Sequence, residues 1–183
     1  MMKSSIVFLG IVVCITLAGC KTTQDPAKIA EKEAQAAIDK AWYDNAVQAL
    51  NDHEFVLEAD RINFKRGRFV YVTANTNFIS MHGDKATIQM AFNSPYSGPN
   101  GIGGITVDGR ASNIKTDTDS KGNVTFSMMV QGVAVSANVT LRITYGSNKC
   151  TATVTPNFSG NRIDFSGVLY PESESNVFKG RSL

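Results

Sequence analysis

Period-two alternation of apolar and polar residues is the strongest constraint this chain carries. From Val133 to Tyr145, Val133, Val135, Ala137, Val139, Leu141, Ile143 and Tyr145 alternate with Ala134, Ser136, Asn138, Thr140, Arg142 and Thr144. Successive side chains of an extended strand point to opposite faces, so the pattern specifies a strand with one face in a core and one toward water. Thirteen residues exceed the usual strand length, which predicts a bend or bulge within the run. Shorter alternations recur at Phe55/Leu57/Ala59, Val70/Val72, Ala86/Ile88/Met90/Phe92, Val124/Phe126/Met128/Val130, Cys150/Ala152/Val154 and Ile163/Phe165/Leu169. Tight-turn sequences separate them: Gly83-Asp84, Ser120-Lys121-Gly122, Gly146-Ser147-Asn148 and Gly160-Asn161. Hairpins in succession make antiparallel neighbours in chain order, a meander.

One segment ahead of the strands follows a different period. Asp25-Pro26 reads as a helix start, with a carboxylate at the N-cap and proline in the first turn, where no hydrogen bond is lost. Helix formers continue to about Asn51, and Ile38, Trp42, Ala46 and Leu50 recur every four residues. The expected fold is therefore mainly β (α+β): a curved antiparallel meander of about nine strands over residues 53–170, barrel-like or lipocalin-like, with one N-terminal helix over residues 26–51. Closure removes exposed strand edges, which favours the barrel over the alternative, a two-sheet β-sandwich. With no second helical segment, a parallel α/β sheet is excluded. The polar tail 171–183 is expected to add a final short edge.

The first twenty residues belong to an address. Lys3 supplies a positive start, Ile6 to Leu17 an apolar run of 12 residues, and Leu17-Ala18-Gly19-Cys20 the form of a bacterial lipobox. A run this short does not span a bilayer, which takes about 20 apolar residues. The expectation is a cleaved signal over 1–19, lipidation of Cys20 and a tether over 20–25, preferred to a plain secretory signal. Anchoring through two or more acyl chains is stable. Localisation is expected in the cell envelope, lipid-anchored; Lys21 in place of the aspartate that retains lipoproteins in the inner membrane favours the outer membrane facing the periplasm, with surface exposure open.

Removal of 19 residues from the 183 leaves 164, with Cys20 and Cys150 as the remaining cysteines. Because Cys20 would carry lipid, Cys150 has no disulfide partner, and stability must come from an ordinary core. Across the whole chain 18 basic residues stand against 16 acidic ones, a balance that gives no nucleic-acid footprint.

Asn77-Phe78-Ile79, Gln89-Met90, Asn100-Gly101-Ile102-Gly103-Gly104-Ile105-Thr106 and the closing Gly167-Val168-Leu169-Tyr170-Pro171 resemble a family of exported lipoproteins of Bacteroidetes-type bacteria known as a domain of unknown function. The likeness runs from about Ala46 to Gly180. It implies a β-rich envelope lipoprotein and transfers no catalytic residue.

The candidate chemistry is sparse. The loop Ser94 to Gly104 holds four glycines and two prolines, but strand signals on both sides deny it the helix N-terminus that a phosphate-binding loop needs. Its glycines suit positive φ and close backbone approach, and Tyr96, Asn100, Gly101, Gly103 and Gly104 are the candidate ligand-contacting residues. Asp117-Thr118-Asp119-Ser120-Lys121-Gly122 begins like a calcium loop, but has Lys121 at position 5 and Met128 at position 12, where oxygen ligands belong. His53 and His82 fall in no metal-binding spacing, and no serine-nucleophile signature occurs, so no cofactor, metal or catalytic residue is assigned. Cys150, between Ala152 and its hairpin turn, reads as a small buried hydrophobe. Arg61, Lys65, Arg66 and Arg68 form the densest basic cluster and read as a solvated turn near which anionic head groups could sit. Met81, Met90, Met128 and Met129 read as core fillers or cavity softeners.

The expected function is a non-catalytic binding module that offers a loop-lined cavity or groove to a small amphipathic molecule, a peptide or an envelope protein. Two alternatives stand beside it: an envelope structural or inhibitor protein acting through a partner, and an enzyme with dispersed catalytic residues.

Overall fold

Asp25 caps the helix as its sequence requires, its Oδ1 accepting the Ala27 N–H at 3.0 Å. The computed structural model describes residues 25–92, 98–157 and 160–182. Helix α1 (Pro26–Asp52) runs 27 residues, roughly 40 Å. It ends at His53, whose left-handed φ of 60° lets its N–H reach the carbonyls of Ala49 and Leu50. Of the four-residue stripe, Ala46 and Leu50 are buried, whereas Ile38 and Trp42 are 52% and 39% exposed. Only the C-terminal half of α1 therefore packs on the sheet.

Among the described residues nine strands follow: β1 (Glu54–Phe64), β2 (Phe69–Tyr71), β3 (Phe78–His82), β4 (Lys85–Ala91), β5 (Gly104–Thr118), β6 (Val124–Gly132), β7 (Ser136–Ile143), β8 (Lys149–Pro156) and β9 (Ile163–Pro171). Consecutive strands from β3 to β9 pair antiparallel, and β1 pairs with both β3 and β9. The result is a closed eight-stranded antiparallel barrel in meander order, with β2 as one extra strand on β1. Closure through nine residue pairs, from Phe55↔Pro171 to Phe64↔Ile163, decides against the two-sheet sandwich.

Inward-facing residues of every barrel strand fill the interior, among them Phe55, Leu57, Ile79, Phe126, Leu141 and Phe165. Outward positions of β7 and β8 are Asn138, Thr140, Arg142, Thr151 and Thr153. This is the reverse of a membrane-spanning barrel, which turns its apolar side outward. Among the described residues no helix is long and apolar enough to cross a membrane.

The long alternation resolves into a turn and a strand. Val133 is 96% exposed in the β6–β7 connection, where the Gly132 N–H bonds the Val135 carbonyl at 2.9 Å, and β7 begins only at Ser136. The expected bend is thus a chain reversal, masked because its valines keep the parity of the strand. The longest strand, β5, has no clean alternation. Its register shifts between Ser112 and Lys115, with Asn113 at φ 53°, so the two halves present different parities to the core.

The expected edge strand does not form among the described residues of the tail: from Glu172 to Ser182 it runs along the outside of β1, β3 and β4. The Phe178 N–H bonds the Asn75 carbonyl at 2.7 Å, the Gly180 N–H bonds Gln89 Oε1 at 2.8 Å, and the Arg181 N–H bonds the Asn100 carbonyl at 3.0 Å. Under it lie outward-facing residues that are nonetheless buried: Val56, Phe78, Asn77, Gln89 and Thr106.

Candidate functional site

The meander gives the barrel two unlike ends. At one, the start of β1, the β5–β6 turn and the β7–β8 turn meet the last turns of α1. Tyr43 donates to the Gly122 carbonyl at 2.6 Å and stacks edge-on with Tyr145, and the His53 ring lies against Phe126. Leu50, fully buried, completes the plug.

The other end holds a cavity. There Ile88 and Met90 of β4, Val107 of β5, Val154 of β8 and Ile163 and Phe165 of β9 line a cavity of about 270 Å³, with Asn161 as a polar contributor. That volume lies just below the usual range for small-molecule sites, about 300–1,000 Å³, and the predominantly apolar lining is typical of them. No titratable side chain lines it among the described residues. Met90 is a cavity wall, while Met81 and Met128 are core.

Tyr96 and Cys20 lie outside the described residues. Asn100, Gly101, Gly103 and Gly104 come together, but they do not line the cavity. The Asn100 amide is spent on the chain itself: Nδ2 donates to the Met90 carbonyl (3.0 Å) and Thr106 Oγ1 (3.3 Å), and Oδ1 accepts from the N–H groups of Ile102 (3.1 Å) and Gly104 (2.9 Å). Gly101 and Gly103 adopt φ of 79° and 86°, which makes this turn possible. At Gly104 a Cβ would overlap the Met90 carbonyl, so the residue is glycine because β5 starts against β4. The loop residues thus set the start of β5 rather than offer their polar groups to a ligand.

The other sequence candidates are placed as follows. Asp119 Oδ1 accepts the N–H groups of Lys121 and Asn123 at 2.8 and 2.9 Å and closes its own turn. The Asn123 side-chain amide, foremost among these donors, holds the Asp119 carboxyl below the usual range. Asp108 is also held low: burial pushes it up, but hydrogen bonds from Lys179 and Thr87 outweigh that. Both carboxylates are therefore charged at neutral pH, the wrong state for a general acid. His82 pairs with Glu172 at 2.6 Å on the surface. Among the described residues no group of three His, Cys, Asp or Glu gathers to hold a metal. Cys150 is buried in the barrel, its thiol pushed up to about 12 by burial, far from the thiolate a nucleophile needs. Lys65, Arg66 and Arg68 lie exposed at the β1–β2 turn.

The cavity walls were hidden in sequence because most of them are the ordinary inward positions of five strands, β4, β5, β7, β8 and β9. No gradient of side-chain size marks that end: the inward series shortens to Ala137 on β7 but grows toward the cavity on β4 (Ala86, Ile88, Met90) and β8 (Cys150, Ala152, Val154).

No curated protein matches the chain. Among solved structures, a crystal structure of a DUF4251 family protein from Bacteroides eggerthii matches with a TM-score of 0.69 and 49% identity, covering 81% of this chain and 99% of that one. The family profile described as "Domain of unknown function (DUF4251)" matches residues 37–169, from within α1 to the end of the barrel. The chain belongs to the DUF4251 family.

Proposed function

We propose that this protein is a lipid-anchored, non-catalytic binding module of the cell envelope whose barrel takes one small apolar or amphipathic molecule into its end cavity. The observation that carries the reading is the apolar cavity of about 270 Å³ at the end opposite the helix plug. A site without titratable lining residues provides desolvation and shape, which serve binding rather than acid–base chemistry. The lipobox ending at Cys20 supports the anchor, with the outer membrane facing the periplasm as its place.

Native mass spectrometry of the protein purified from its own envelope tests the cavity, alongside titration with a medium-chain fatty acid. Ala137→Phe projects a ring into the same space from a position that is 2% exposed. The reading expects a bound small molecule or saturable fatty-acid binding in the parent protein and its loss in A137F with the fold retained. An empty parent that binds no apolar probe overturns it. For the anchor, Cys20→Ala should move the protein from the membrane to the soluble fraction; unchanged membrane association refutes lipidation at that residue.

A further inference from the structure

A groove lies on the outer wall, apart from the cavity. Strand register aligns Arg142 of β7 with Thr151 of β8, Thr151 with Ser166 of β9, Ser166 with Arg61 of β1, and Arg61 with Tyr71 of β2. These five residues form one row across five neighbouring strands, on the face turned from the core. Two arginines, about 14 Å apart at three strand spacings, flank a floor of small hydroxyl side chains. The outcome is a groove of about 390 Å³, with Lys149 beside it and Tyr71, 76% exposed, at its end.

A bulge builds this row. The register of β1 against β9 skips Asp60 between Ala59 and Arg61. Asp60 and Arg61 are therefore both exposed in succession, while Ala59 and Ile62 on either side are buried. Without the extra residue, strict alternation from Ala59 would send Arg61 into the core.

Ion pairing separates this groove from the other polar groove on the wall, beside β4 and β5, where two of the three lining cations are paired and Lys85 is the third. There Arg110 pairs with Asp84 at 2.8 Å and Lys179 with Asp108 at 2.7 Å. Arg61, Arg142 and Lys149 make no ion pair among the described residues, and Asp60 is the one carboxylate lining their groove. Three cations against one anion leave a net positive cleft on a chain whose overall formal charge is only +2.

The geometry points to this groove as a binding site for an acidic saccharide, a chain of sugar rings bearing sulfate or carboxylate groups. Guanidinium groups bind such oxyanions in a bidentate fork. Thr144, Thr151 and Ser166 offer hydroxyls that both donate and accept, matching sugar hydroxyls. The Tyr71 ring is a platform for the apolar face of a sugar. The concave hydroxyl floor distinguishes this ligand from a flat bilayer surface, which would touch only the rim.

Titration calorimetry of the purified full chain tests it, with a sulfated hexasaccharide, an oligogalacturonate, a neutral hexasaccharide of similar length and sodium sulfate as titrants. Arg61→Gln and Arg142→Gln alter exposed side chains, and a thermal melt checks that each variant is folded. Binding of at least one acidic oligosaccharide is expected, weakening with salt, and about tenfold weaker in each variant because a charge-assisted pair is lost. Lys85→Gln, in the groove beside β4 and β5, should leave affinity within about twofold. No binding of either acidic oligosaccharide, equal binding of the neutral one or of sulfate alone, or indifference to both arginine substitutions overturns the assignment. So does Arg61- and Arg142-dependent binding to phosphatidylglycerol vesicles without oligosaccharide binding.

Discussion

Replacing Gln89 by methionine should loosen the C-terminal tail and destabilise the barrel by more than any other near-isosteric change on its outer wall. The Gln89 side chain is fully buried yet points away from the core. Its Nε2 donates to the carbonyls of Thr76 (3.0 Å) and Phe178 (2.7 Å), and its Oε1 accepts from Thr106 Oγ1 (2.8 Å) and the Gly180 N–H (2.8 Å). Each hydrogen bond contributes about 0.5–1.5 kcal/mol net, and an unpaired buried partner costs about 1–3 kcal/mol. Gln89→Met removes all four, but the tail can lift and let water satisfy its own two groups. The loss is then about 2–4 kcal/mol rather than the full sum. For a chain of this size a loss near 3 kcal/mol lowers Tm by roughly 6–12 °C. Circular-dichroism melts measure it, and hydrogen exchange at the Phe178 and Gly180 amides reports on the tail directly. Deleting residues 175–183 supplies the cycle: if Gln89 acts through the tail, the combined change costs clearly less than the two separate losses added together. A Tm shift below about 2 °C with tail amides still protected would refute the reasoning.

Three further outcomes follow from the same structure. Gly167→Ala should cost about 3 kcal/mol or more, since a Cβ there overlaps the Glu58 carbonyl in the β1–β9 seam; a denaturant midpoint near that of the parent would show the seam to be pliable. Cys150, with its thiol pushed up to about 12, should resist iodoacetamide at pH 8 in the folded protein and react rapidly in guanidinium, as mass spectrometry would record. The Glu172 hydrogen bond, followed by the Glu172 charge, raises His82 above its ordinary 6.5, so the stabilisation is fully present below that value and fades as pH rises through the raised one. His82→Gln should flatten the parent's decline in Tm across that interval, and parallel curves would contradict the assignment.

The sequence made the architecture legible wherever one side of a strand meets the core and the other meets water. β6, β7 and β8 follow that rule residue by residue, and the Asp25-Pro26 cap set the helix start. It failed where a second layer covers the outside. Gln89 and Thr106 are polar and buried because the tail lies over them, and no periodicity announces a covering segment eighty residues downstream. Asn100 illustrates the same difficulty for function: an amide on a glycine-rich loop looks available to a ligand until its four bonds to neighbouring groups are seen. The groove row required register across five strands, which depends on a bulge at Asp60 that composition leaves silent.

Seam closure also carries a consequence for when this chain can finish folding. Phe55 meets Pro171 and Phe64 meets Ile163, partners roughly a hundred residues apart. A chain emerging from its N-terminus can form successive hairpins early, each closing a short loop at modest entropic cost. One edge of β1 nevertheless stays unpaired until residues 163–171 arrive, and the tail cannot dock before the barrel beneath it exists. A product truncated anywhere before β9 would keep that edge open and remain a target for aggregation or proteolysis. Were the chain exported unfolded, as the proposed envelope location requires, this late locking would keep it open until the last strand had crossed.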